Sequence, residues 1–197
     1  MTLRLIALDC PACGSAMQGE GRDVIFFCSH CGSGALLEAD GLDVIEASAL
    51  LPAAGRHARI WRPAWRIDTE VTVADRRRAG GRETEGWQGE RVFVVPAFEL
   101  PLTDLVLLAR ALSEVAATAG EVPREPIRGG VLSVADALTV ARHLVIGDEI
   151  RKPDMLESVD VDIRERSHRL LATPFEEGGD GRLRCAVTGV VVRPRAD

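Results

Sequence analysis

Two short phrases, Cys10-Pro11-Ala12-Cys13-Gly14 and Cys28-Ser29-His30-Cys31-Gly32, hold four of the chain's five cysteines at one repeated spacing, with 14 residues between Cys13 and Cys28. A Cys-x-x-Cys turn lets two thiolates reach one ion, and the glycine after it suits a tight turn that points backbone amides toward sulfur. Two such turns complete a tetrahedron. Four thiolates close the coordination shell of Zn²⁺ and leave no position for water or substrate, so Cys10, Cys13, Cys28 and Cys31 are expected to hold one structural zinc ion. His30, inside the second turn, reads as an exposed loop residue. Cys185 stands alone in a strand-like run and reads as a buried small hydrophobe.

Around the cysteines the sequence reads as short strands and turns: Leu3 to Leu8 as a lead-in, Val24 to Phe27 as an apolar run, and Asp40-Gly41 as a hairpin turn between Ala35 to Leu37 and Leu42 to Ile45. A segment this small cannot be held by burial alone, and zinc binding of roughly 10–16 kcal/mol is folding energy in such modules. At these residues, about a quarter of the chain, the sequence resembles the zinc ribbon family, which serves in transcription, translation and replication proteins and as docking modules in other complexes. The paired turns also resemble those of rubredoxin, which would imply a redox iron, and a dithiol or disulfide couple is a third reading of the same residues.

Charge changes sign along the chain. Residues 1–55 carry Arg4 and Arg22 against Asp9, Glu20, Asp23, Glu38, Asp40, Asp43 and Glu46, two bases against seven acids and a net of −5. Four thiolates on Zn²⁺ would add a formal −2, and such a field repels phosphates, which argues against a nucleic-acid finger. Residues 56–82 carry eight arginines against Asp68, Glu70 and Asp75, a net of +5, with Trp61 and Trp65 among them. Arg59, Trp61, Arg62, Trp65, Arg66, Arg76, Arg77 and Arg78 are therefore candidates for partner contact. The partner would be a protein, the chain's own ribbon or, as the alternative reading, nucleic acid through stacking and phosphate contacts. The plainer reading is a strand whose arginines cover its solvent side.

The sign change and the small-residue stretch Leu51 to Gly55 place a boundary at residue 55, giving a ribbon over 1–55 and a second domain over 56–197. In the second domain, Arg66 to Val73 and Arg91 to Val95 read as strands joined by a mobile loop from Arg76 to Gly89. Thr103 caps an expected helix over Asp104 to Thr118. Ser133 with Asp136 caps a second over Val134 to Ile146, with Gly120 and Gly147 as the stops. Val159 to Arg164, Arg169 to Ala172 and Arg182 to Val192 read as further strands, and Pro63, Pro96 and Pro174 as strand ends or edges. The expected fold class is α+β: a small N-terminal zinc ribbon followed by an antiparallel sheet with two packed helices. The repeated Pro63-Ala64-Trp65 and Pro96-Ala97-Phe98 phrases behind the ribbon resemble a group of uncharacterised bacterial zinc-ribbon proteins, a resemblance that carries no activity with it.

No phosphate loop, zinc-protease helix, nucleophile elbow or dinucleotide fingerprint is present, and Asp148 with Glu149 reads as solvated charge at a helix end. The N-terminus is too short for a secretory signal, and the apolar stretch from Val92 to Leu112 is broken by charges and prolines, so no transmembrane segment is expected. The sequence thus points to a cytoplasmic, non-enzymatic zinc-binding protein whose ribbon is a structural or docking module for a protein complex.

Overall fold

The structure, a computed structural model, describes residues 6–194. The chain is α+β; among the described residues it has a three-stranded sheet beside the paired cysteines, an eight-stranded sheet and two helices. Strands β1 (Ile25–Phe27), β2 (Gly34–Glu38) and β3 (Gly41–Ile45) form the small antiparallel sheet. The expected hairpin at Asp40-Gly41 is present, with Glu38 opposite Gly41. The lead-in strand over residues 3–8 lies partly outside the described residues; from Ile6 to Ala16 the only pairing described is the bridge between Asp9 and Ala16.

The large sheet is organised by two long strands, β5 (Ile60–Arg78) and β9 (Leu156–Glu177), which pair antiparallel along almost their whole length. They run well beyond the expected strands. Alternation buries Trp61, Pro63, Trp65, Ile67, Val71 and Val73 on one face of β5. The pairing survives three interruptions because register shifts at Asp68/Thr69, Ala74/Arg77 and Arg77/Arg78 absorb extra residues as bulges. The expected loop from Arg76 to Gly89 is largely strand: β5 reaches Arg78, turns, and continues through β6 (Arg82–Glu83) into β7 (Trp87–Pro96). Pro96 ends its strand, but Pro63 and Pro174 lie inside theirs. Pro63 sits one residue beyond the β5–β7 ladder, where its missing N–H costs no bond, and its carbonyl accepts from Ala97.

Strand β4 (Ala47–Leu50) leaves the small sheet directly and pairs parallel with β9, with β8 (Ala119–Gly120) on its outer side. Helix α1 (Leu102–Glu114) starts two residues earlier than expected: Pro101 takes the cap position with its fixed φ, and Thr103 lies within the helix. It ends at Val115, whose backbone is extended, so Gly120 is a strand residue rather than a stop. Helix α2 (Val134–Ile150) has the expected capping box, in which the Ser133 hydroxyl accepts from the Asp136 N–H and the Asp136 carboxylate accepts from the Ser133 N–H. It runs through Gly147, because Glu149 in its last turn is anchored by side-chain bonds described below. Replacing Ser133 with Ala should cost about 1 kcal/mol, seen as a melting point roughly 2–4 °C lower in a thermal scan.

Strand β1 belongs to two cores. Ile25 and Phe27 face the main core with Trp65, Phe98 and Leu144, while Phe26 points the other way into a cluster with Cys10, Met17, Cys28 and Ala35. Its backbone is fixed at Gly130, which precedes α2 and exchanges hydrogen bonds with Ile25 at 3.1 Å in both directions. A Cβ at Gly130 would lie 2.7 Å from the carbonyl of Ala97, so only glycine fits this crossing.

Candidate metal centre

Each cysteine phrase folds as the spacing requires. The Cys10 N–H donates to the Ser15 carbonyl at 2.8 Å and the Gly14 N–H to the Cys10 carbonyl at 2.8 Å. In the second turn, Cys28 donates to Ser33 at 2.9 Å and Gly32 to Cys28 at 2.8 Å. Gly14 and Gly32 have φ of +73° and +83°, a conformation that excludes most other residues at the turn. The two turns face each other. Cys10 Sγ is 3.6 Å from Cys31 Sγ, Cys13 Sγ is 3.6 Å from Cys28 Sγ, and all four sulfurs lie within 4.8 Å of one another. Zn–S bonds of about 2.3 Å in a tetrahedron put sulfurs about 3.8 Å apart, so this donor set fits a thiolate-bound metal with little movement.

Burial and hydrogen bonding divide the four sulfurs. Cys10 and Cys28 are buried, and burial pushes the Cys10 thiol up to about 12. Cys13 is exposed and Cys31 half-buried. The Ser33 hydroxyl, 3.2 Å from Cys31 Sγ, and the Ser33 backbone N–H bring the Cys31 thiol down to about 6. Ser15, through its hydroxyl and its N–H, lowers Cys13 in the same way. The rim sulfurs thus give up their protons more readily than Cys10 does, and a divalent cation must displace the thiol protons that remain, so affinity rises with pH. Ser33 supports a ligand without being one, and Ser33→Ala should weaken zinc by roughly 10-fold in competition with a chromophoric chelator. His30 is exposed and is not among the clustered donors.

A third loop has the same backbone as the two cysteine turns. Between β10 (Leu183–Cys185) and β11 (Val191–Val192), the Cys185 N–H donates to the Val190 carbonyl at 2.8 Å, the Gly189 N–H donates to the Cys185 carbonyl at 2.8 Å, and Gly189 has φ of +81°. The phrase Cys185-Ala186-Val187-Thr188-Gly189 therefore folds as Cys-x-x-Cys-Gly does, with Thr188 where the second thiol would stand. Cys185 is fully buried in the main core, as a small hydrophobe would be. Its spacing to Gly189 was the available signal, and a search for paired cysteines passes over it.

The partner-contact candidates do not form one surface. Trp61 and Trp65 are buried, their indole N–H groups donating to Glu125 at 3.3 Å and to the Leu132 carbonyl at 2.8 Å. They lie on the opposite face of β5 from Arg62 and Arg66. Arg62 stacks on Phe98 with 5.4 Å between guanidinium carbon and ring centre, and Arg66 pairs with Asp68. Arg77 and Arg78 pair with Glu83 and Asp154, and Arg59 is exposed. Arg76 is 3% exposed. It donates to Glu149 at 2.7 Å, to Thr84 at 2.9 Å and to both oxygens of Asp154 at 2.5 and 2.6 Å.

The reading of Glu149 as a solvated charge is overturned by this network. Glu149 is 1% exposed and also accepts from Trp87 Nε1 at 2.9 Å, with Lys152 Nζ at 2.7 Å. Burial alone would raise its carboxyl; the bonds from Lys152, Trp87 and Arg76 outweigh burial and hold it below the ordinary carboxylate value. Its position was legible, since Ala141, Val145 and Glu149 follow at four-residue intervals along the buried stripe of α2. Asp148, by contrast, is partly exposed and gathers Arg91, Arg110 and Arg151.

Comparison of the chain with protein-family models, with curated proteins and with solved structures found no match in any of the three.

Proposed function

We propose that this is a non-enzymatic zinc-binding protein whose ribbon, residues 1–55, is a structural and docking module for a protein partner, carried by the α+β domain of residues 56–197. The observation that carries the zinc assignment is the cluster of four sulfurs from two opposed turns. Four thiolates leave a metal no open coordination position, which favours a structural role over a hydrolytic one. The separate side-chain cluster around Cys10, Met17, Phe26, Cys28 and Ala35 supports the ribbon as a unit of its own, although β4 crosses into the large sheet before residue 55.

Docking is supported by the ribbon's outer edge. Strand β3 is the last strand of its sheet, and it presents Asp43 and the apolar Val44, 54% exposed, beside exposed Glu38 and Glu46. An acidic edge with an apolar centre suits a partner of opposite charge that adds a strand or lays an apolar side chain on Val44. Affinity capture from the native cell, comparing the natural chain with Glu38→Lys, Asp43→Lys and Val44→Asp combined, tests this. A defined co-purifying protein that is lost with the triple variant, while metal content is unchanged, supports the docking edge. Identical capture by both chains contradicts it.

A further inference from the structure

We propose that the cavity between the end of α1 and the sheet binds a small carboxylic acid with a short apolar body. The β5–β9 register sets Arg66 directly opposite Arg169, and the β5–β7 register sets Val94 on the other side of Arg66. Two guanidiniums side by side on one sheet face repel each other, an arrangement that costs stability unless an anion joins them. Each has one carboxylate contact: Arg66 with Asp68 at 3.2 Å and Arg169 with Glu46 at 3.2 Å. Glu46 is 71% exposed, and such exposed pairs contribute about 0–1 kcal/mol. Arg66 Nε is buried with no hydrogen-bond partner.

The two arginines border a cavity of about 180 Å³ walled by Leu50, Val94, Leu112 and Leu171, with Ser48 as a further polar group. Among the described residues no carboxylate lines it, and its polar groups are all donors toward an anion, whereas four other cavities each include at least one Asp or Glu in their walls. The size falls below the roughly 300–1,000 Å³ of pockets for drug-sized ligands, which excludes nucleotides and long lipids. A carboxylate matches the paired donors of a guanidinium, and the leucine and valine walls match a short hydrocarbon body. A bare inorganic anion would satisfy the arginines and leave those walls unfilled.

The test is an amide NMR titration of the full chain with hexanoate, and in parallel with hexanol, acetate and inorganic phosphate. Hexanoate should give saturable shifts at Ser48, Val94 and Leu171, at concentrations roughly tenfold or more below those needed for acetate or hexanol. Arg66→Gln and Arg169→Gln should each weaken hexanoate about tenfold or more while leaving the remaining spectrum intact. Absence of saturation by about 10 mM hexanoate, equal affinity for hexanol or phosphate, or hexanoate binding unchanged in both arginine variants would overturn the proposal.

Discussion

Cys28→Ser is expected to remove zinc from the full chain and melt the three-stranded sheet. Cys28 is 1% exposed, its sulfur is 3.6 Å from that of Cys13, and it sits in the small cluster that is the ribbon's own core. That cluster has few large apolar residues to hold it, so on the proposed function the fold there would rest on metal binding of about 10–16 kcal/mol, most of which would be lost with one ligand. The damage should spread in part. Ile25 and Phe27 belong to the main core, and a melted β1 withdraws both, so the large sheet and its helices should also melt at a lower temperature. The checks are metal content by mass spectrometry, protease cleavage at Arg22, and a thermal scan. A variant that keeps a full equivalent of zinc and the natural chain's protease resistance would show that the ribbon does not depend on the metal.

The second large effect is expected at Arg76. Arg76→Met leaves Glu149 buried with Lys152 as its remaining cation and takes the paired bonds from Asp154, and breaking a buried pair in this way costs about 3–5 kcal/mol. Arg76→Met with Glu149→Leu should recover the part of that loss that comes from the buried Glu149 carboxylate, because both members of that pair are then apolar, while Asp154, 24% exposed, keeps Arg78 at 3.6 Å. Urea denaturation of the two variants measures the difference; equal destabilisation by the single and the double change would contradict the account. The same network sets an acid limit. Glu149 and Asp154 have folded values below their ordinary 4.5 and 3.8, Asp154 chiefly through its bonds from Arg76. A depressed carboxyl contributes its full stability above the ordinary value and loses it as pH falls through the lower folded value. Stability should therefore fall below pH 4 in the natural chain and less steeply in the double variant.

What was legible in the sequence was local. The two Cys-x-x-Cys-Gly turns, the Asp40-Gly41 hairpin and the Ser133/Asp136 capping box each need only a few neighbouring residues, and each formed where expected. The α+β class followed from the same local periodicities. The full length of β5 and β9 was hidden because the register shifts leave extra residues on one strand or the other, so the alternation breaks at Arg166 on β9 and at Asp75 on β5. The buried Arg76–Glu149 pair was hidden because charge at a helix end normally faces water, and only the four-residue spacing from Ala141 and Val145 argued otherwise. The arginine and tryptophan strip looked continuous in sequence, but a strand sends successive residues to opposite faces, so the tryptophans went to the core while Arg62 and Arg66 stayed half-exposed on the other side. Long-range pairing, such as β4 with β9 and Ile25 with Gly130, has no local signature.

The most direct test of the central claim is the metal itself, read in protein purified without added zinc and again after exchange with cobalt. One zinc per chain, replaced by cobalt with the intense visible absorption of tetrahedral thiolate coordination, is the predicted result. Less than half an equivalent of any metal, a native iron charge-transfer band, or a Cys10–Cys31 or Cys13–Cys28 disulfide in the purified chain would contradict it.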